Sequence, residues 1–147
     1  MSDARRYPRY PLLGVGALIF DGDRILMAQR GKPPLMGQWS IPGGLVETGE
    51  SLAAAVRREV LEETGFEIDA LGVLEIFERI IRDREGAAEY HYVLLDYICR
   101  VTGGSLSAGS DVCCVQWVRR GDLLAMDITE GTLAVIEKGF RDRRNYR

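Results

Sequence analysis

Residues 12–20 are apolar at nearly every position, with Val15, Ala17 and Ile19 alternating with Gly14, Gly16 and Leu18, a pattern that predicts a well-buried strand. The turn signal Asp21-Gly22-Asp23 follows, and residues 24–29 resume the strand pattern, so the two segments are expected to form a hairpin. Residues 31–37, with Pro33-Pro34, read as a loop, and residues 39–41 as a short strand that ends at Pro42-Gly43-Gly44. The period then changes. Residues 51–64 have apolar positions at helical spacing, Ser51 as N-cap, the helix-favouring Ala53-Ala54-Ala55 run and Gly65 at C′. Residues 72–81 and 90–101 predict two long strands joined by a polar turn, the second broken by Gly103-Gly104. A strand over 112–118, a helical turn over 122–126 and a closing helix over 129–140 complete the chain. The order β-β-(β)-α-β-β-β-α predicts an α/β fold with a mixed sheet and helices on its faces.

The helix over 51–64 is unusual in where its acids fall. Leu52, Ala53, Val56 and Val60 make an apolar stripe, and Glu59, Glu62 and Glu63 share one arc of about 100° that overlaps the stripe's edge. A solvated charged face would lie opposite the stripe. Glu59 and Glu63 are like charges at i,i+4, and Glu62 and Glu63 sit in the last turn, where the macrodipole disfavours anions by roughly 0.3–1 kcal/mol. A hard divalent cation reverses these penalties, because Mg²⁺ takes carboxylate oxygens. Glu50 precedes the cap, in the loop that begins at Gly43-Gly44. Arg58 lies one turn before Glu62, where it can hold a carboxylate by a forked hydrogen bond.

Composition narrows the classes. The chain has 147 residues, the length of one domain, with 46% hydrophobic and 28% charged residues. Residues 1–10 carry +2 and residues 141–147 carry +3 against a chain total of −3, so the 130 residues between them carry −8. An acidic body is a poor partner for a nucleic-acid polymer. No apolar run reaches membrane-spanning length, and no signal-peptide pattern follows Arg5, Arg6 and Arg9, so the chain is expected to be cytoplasmic. Cys99, Cys113 and Cys114 are an odd number without metal-ligand spacing and are expected to be buried, reduced thiols.

Gly44, five residues, Glu50, seven residues, then Arg58-Glu59-Val60-Leu61-Glu62-Glu63-Thr64-Gly65-Phe66 resembles the 23-residue box of the Nudix (MutT-like) hydrolases; Phe66 stands where an aliphatic residue is usual. Trp39-Ser40-Ile41-Pro42-Gly43-Gly44 is similar to the family's lead-in. The resemblance implies a Nudix-type α/β/α sandwich over residues 10–140, with the box as a loop-helix-loop and residues 1–9 and 141–147 as flexible basic ends. It also implies Mg²⁺-dependent hydrolysis, Mn²⁺ substituting, of a nucleoside diphosphate linked to another group, ADP-ribose or a related nucleotide sugar being the first choice. A nucleoside triphosphate is the alternative, and a non-catalytic nucleotide sensor the third reading. Carried onto this chain, Glu59, Glu62, Glu63, Glu50 and Gly44 would bind metal. Glu62 would be a ligand or base, and Arg58 would orient a glutamate. Asp111, before Trp117, is the candidate outlying carboxylate, with Glu85 and Glu89 as rivals. Trp39, Phe77 and Tyr92 are candidates to stack on a base, and Arg30 and Arg79 to meet a phosphate or ribose. Many relatives are homodimers, but no apolar stripe in this sequence argues for one independently.

Overall fold

The computed structural model describes residues 4–109 and 112–147. Seven strands and two α-helices follow in the order β1 (Leu12–Asp21), β2 (Arg24–Arg30), β3 (Trp39–Ser40), β4 (Gly43–Leu45), α1 (Leu52–Thr64), β5 (Phe66–Arg82), β6 (Ala88–Gly104), β7 (Val112–Arg119) and α2 (Thr132–Asp142). A 3₁₀ turn over Arg120–Ala125 precedes α2. The sheet is mixed. β1 runs parallel to β6 and antiparallel to β2 and β4, β5 pairs antiparallel with β6, and β2 also takes β3 and β7.

Alternation along β1 divides the core in two. Val15, Ala17 and Ile19 meet Ala55, Val56 and Val60 of α1, while Leu18 packs with Ile98, Val135, Ile136 and Phe140 on the side of α2. The helices thus cover opposite faces, the α/β/α arrangement expected. Burying Val56 and Val60 together stabilises α1 by roughly 3–6 kcal/mol. This outweighs the few tenths of a kcal/mol lost to the Glu59–Glu63 repulsion. The Ser51 hydroxyl accepts from the Ala54 N–H at 3.1 Å, and Gly65 ends the helix at φ 79°.

Several expectations need correction. Gly43–Leu45 is a strand, because its backbone groups find partners on β1. β5 begins at Phe66 rather than Gly72, and Gly103 and Gly104 do not break β6 but pair with Glu67 and Phe66. The turn at Gly65 delivers Phe66 directly alongside the end of β6. Helix α2 starts three residues later than expected, because Gly131 takes φ 83°, a left-handed backbone that interrupts a helix. Cys99 is buried, but Cys113 and Cys114 are exposed free thiols. They lie where the β2–β7 register shifts, on a strand with no neighbour beyond β2 among the described residues. β5 is an edge strand that exposes Val73, Ile76 and Ile80, an apolar row hidden in the sequence because register shifts interrupt its alternation. Among the described residues no helix is long and apolar enough to cross a membrane.

Candidate active site

The site is assembled where β4 meets the start and the last turns of α1. Val15 pairs with Gly44 and Gly16 with Gly43, which draws the two glycines onto β1. The chain then turns through residues 47–50, the Glu50 N–H donating to the Glu47 carbonyl at 3.0 Å, and enters α1 at the Ser51 cap. This route places the loop beside the Glu59–Glu63 arc. The Gly43 N–H donates to Glu63 Oε2 at 2.9 Å, and Glu59 packs so closely on Gly44 that a Cβ there would overlap its carboxyl group.

Arg58 holds the assembly together. Its Nε and Nη2 fork onto Glu50 at 2.7 and 2.9 Å, Nη2 also donates to the Leu45 carbonyl at 2.9 Å, and Nη1 donates to Glu59 Oε1 at 2.8 Å. The fork from Arg58, with the Glu47 N–H adding to it, holds the Glu50 carboxyl at about 2, and Glu50 in turn raises the Arg58 guanidinium above its ordinary value. Lysine at 58 could reach one of these acceptors but not the set.

Glu59 and Glu63 line one wall of a cleft of about 400 Å³, with Gly43 and Gly44 beside them. Arg30, Arg79 and Tyr92 also line it. Arg30 Nε donates to the Pro34 carbonyl at 2.7 Å, and Arg79 lies over the Phe77 ring at 5.0 Å. Burial lowers both guanidiniums, and Arg30 lowers Arg79 further.

The residues expected from the sequence do not all arrive. Glu62 is 57% exposed, does not line the cleft and stands 3.4 Å from Arg58 Nη1. Glu50 is likewise turned to Arg58 rather than to the cleft. Trp39 and Phe77 pack on the core beneath, Phe77 filling the space left by Gly131, so neither ring is presented to a ligand in the cleft. Glu89 is engaged by Arg6 at 2.6 Å. Asp111 lies outside the described residues. Three residues had not been expected. Arg5 and Lys32 line the cleft, and Asp96 is a buried carboxyl on β6 whose burial pushes it up to about 7, against Arg79. A lone acid inside the apolar run 92–98 was the available signal for Asp96. Nothing local marked Arg5.

Among the described residues no three His, Cys, Asp or Glu groups are gathered as a metal site. The donor chemistry nevertheless fits a hard divalent cation. Two carboxylates and the adjacent backbone offer only oxygen donors, and Mg²⁺ is usually held by one or two carboxylates with waters and substrate phosphates completing its shell.

The family model for the NUDIX domain matches residues 11–138. The chain belongs to the Nudix family. It is 35% identical over 111 residues to a Methanocaldococcus jannaschii protein named ADP-ribose pyrophosphatase, covering 74% of this chain and 63% of that protein. It is 31% identical over 110 residues to the nucleoside triphosphatase NudI of an Enterobacter species, covering 71% of this chain and 78% of that one. A MutT NUDIX hydrolase structure from Burkholderia pseudomallei superposes with a TM-score of 0.77 at 28% identity, over 88% of this chain and 98% of its own. The chain spans 63%, 27% and 39% of the length of three of the curated relatives it matches. Within the matched region, the Arg58 network ties Leu45, Glu50 and Glu59 together.

Proposed function

We propose that this Nudix chain hydrolyses the diphosphate bond of a nucleoside diphosphate linked to another group, with Mg²⁺ as the cation and ADP-ribose or a related nucleotide sugar as substrate. The observation that carries the reading is the pair Glu59 and Glu63 against Gly43-Gly44, in a cleft that also holds Arg30 and Arg79. The likeness to the archaeal ADP-ribose pyrophosphatase supports the substrate class.

Glu59, Glu63 and the Gly44 carbonyl would hold the cation, with Asp111 as the outlying carboxylate. A divalent cation bound there supplies charge neutralisation of the diphosphate and acidification of the attacking water. Arg58 holds Glu59 in place through the 2.8 Å bond, and the Gly43 N–H holds Glu63 Oε2 at 2.9 Å. Arg30 and Arg79 draw the anionic diphosphate into the cleft and orient it. A cleft carboxylate accepts the proton that the water gives up. Glu50 and Glu62 act from outside as partners of Arg58.

A mass-resolved hydrolysis screen at mildly alkaline pH tests this, offering Mg²⁺ with ADP-ribose, nucleotide sugars, dinucleotides and nucleoside triphosphates. Glu63→Gln runs alongside. Cleavage of ADP-ribose or a nucleotide sugar, falling on the order of 100-fold in the variant, supports the reading. Cleavage of triphosphates alone favours the second reading, to which the likeness to the Enterobacter nucleoside triphosphatase points. Full activity in Glu63→Gln removes the ligand assignment, and no cleavage of any compound favours a nucleotide sensor.

A further inference from the structure

The segment before β1 is tied to two separate parts of the fold. Arg6 Nε donates to Glu89 Oε2 at 2.6 Å, the Tyr7 N–H donates to the Glu89 carbonyl at 2.7 Å, and the Tyr7 hydroxyl donates to Asp83 Oδ2 at 2.7 Å. These bonds fasten residues 6 and 7 to the turn after β5 and to the start of β6. One residue earlier, Arg5 Nη2 donates to the Pro33 carbonyl at 3.1 Å, in the loop between β2 and β3. The segment therefore runs from the hairpin turn to the opposite loop and adds the Arg5 guanidinium to the cleft wall.

Arg5 joins Arg30, Lys32 and Arg79 in lining that one cleft. Like charges held together in a half-buried space repel each other more than they would in water. Burial is the main cause that lowers Arg30 and Arg79; for Arg30, Tyr92 opposes it and Arg5 adds to it, and for Arg79, Arg30 adds to it. Glu63 acts on Arg30 in the opposite sense, and Glu130 and Asp96 on Arg79. The Pro33 carbonyl engages Nη2 of Arg5, and the guanidinium also lines the cleft. An anion between the guanidiniums relieves the repulsion, and phosphate oxygens match their forked donors.

We propose that Arg5, carried in by the fastened N-terminal segment, completes with Arg30 and Arg79 a subsite for a phosphate group of the substrate and is a specificity-determining residue. Assigning that phosphate to a substrate rests on the hydrolase reading; the anion subsite itself does not.

The test is calorimetric titration of inorganic pyrophosphate in EDTA into the full chain, comparing the unaltered protein with Arg5→Ala, Arg5→Lys and Arg9→Ala. Arg9 is exposed and outside the cleft lining, so its variant matches the charge change alone. Arg5→Ala is expected to weaken binding about tenfold, Arg5→Lys to recover part of the loss, and Arg9→Ala to stay within about twofold. On a cleaved nucleotide Arg5→Ala is expected to raise KM with kcat retained. Equal losses in Arg5→Ala and Arg9→Ala, or unchanged binding in Arg5→Ala, overturn the proposal. Should pyrophosphate binding depend on Arg5 while no nucleotide is cleaved, the subsite stands and the hydrolase reading falls. Should a nucleotide be cleaved while pyrophosphate binding is indifferent to Arg5, the hydrolase reading stands and the subsite falls.

Discussion

Adjacent glycines in β4 should fail in different ways when each is given a methyl group. A Cβ at Gly44 would stand 2.5 Å from Glu59 Oε1 and overlap the rest of that carboxyl group. Comfortable non-bonded separation begins near about 3.5 Å, so the carboxylate must move by roughly 1 Å. It cannot do so while keeping its place, because Arg58 holds it at 2.8 Å and is itself forked onto Glu50. If Glu59 holds the cation as proposed, a displacement of that size costs on the order of 10²-fold in rate, or about 2.7 kcal/mol in the barrier. The strain falls on the far end of a side chain, so stability should change by less than about 1 kcal/mol. At Gly43 the added Cβ would overlap the Val15 carbonyl oxygen and stand 2.9 Å from Gly16 Cα, both backbone. There the β1–β4 pairing itself must open, at a cost of roughly 1–3 kcal/mol, with Tm falling by about 2–4 °C for each kcal/mol. Steady-state hydrolysis with Mg²⁺ and thermal unfolding of both alanine variants make the comparison. Gly44→Ala with undiminished kcat, or with a Tm loss equal to that of Gly43→Ala, would refute the reasoning.

Two further outcomes follow from buried groups. Burial pushes Asp96 up to about 7, with Arg79 opposing and Glu75 adding to the rise, so the native protein keeps a proton that the unfolded chain releases near about pH 4. Stability should therefore fall as pH rises from about 4 to 7 and level off above. Asp96→Asn should remove on the order of 2 kcal/mol of the decline between about pH 5.5 and 8 in urea unfolding; identical slopes in both proteins count against this. Burial pushes the Cys99 thiol up to about 12, while Cys113 and Cys114 are exposed. Brief iodoacetamide treatment of native protein should label Cys113 and Cys114 and spare Cys99 until denaturant is added. Cys114, its proton held by the hydrogen bond to Cys113 Sγ, should label the more slowly. Native labelling of Cys99 contradicts its placement.

The Arg58–Glu63 register was legible because it is local. Residues three and four apart on a helix share a face whatever the rest of the chain does, and an acidic arc beside Val56 and Val60 was visible before any packing was known. The ends of the elements were less legible. Gly43–Leu45, Gly103 and Gly104 have weak strand propensity and are strands only because a neighbouring strand satisfies their backbone groups. Trp39 and Phe77 show the converse limit, since an aromatic side chain reads alike whether it will face a ligand or the core.

By itself the sequence determined the box, its cap at Ser51, its stop at Gly65 and the carboxylate spacing between them. Those features rest on backbone propensity and on a period of a few residues. Only the tertiary structure decided which acids reach the cleft and which cations face them. Glu62 and Glu63 are neighbours in the chain, yet Glu63 meets the Gly43 N–H and Glu62 is left near Arg58. Arg5, Arg30 and Arg79 come from three separate segments and share a wall only because β1, β2, β5 and β6 close into one sheet system. No local pattern encodes such meetings, because the energy that enforces them comes from burying both cores at once.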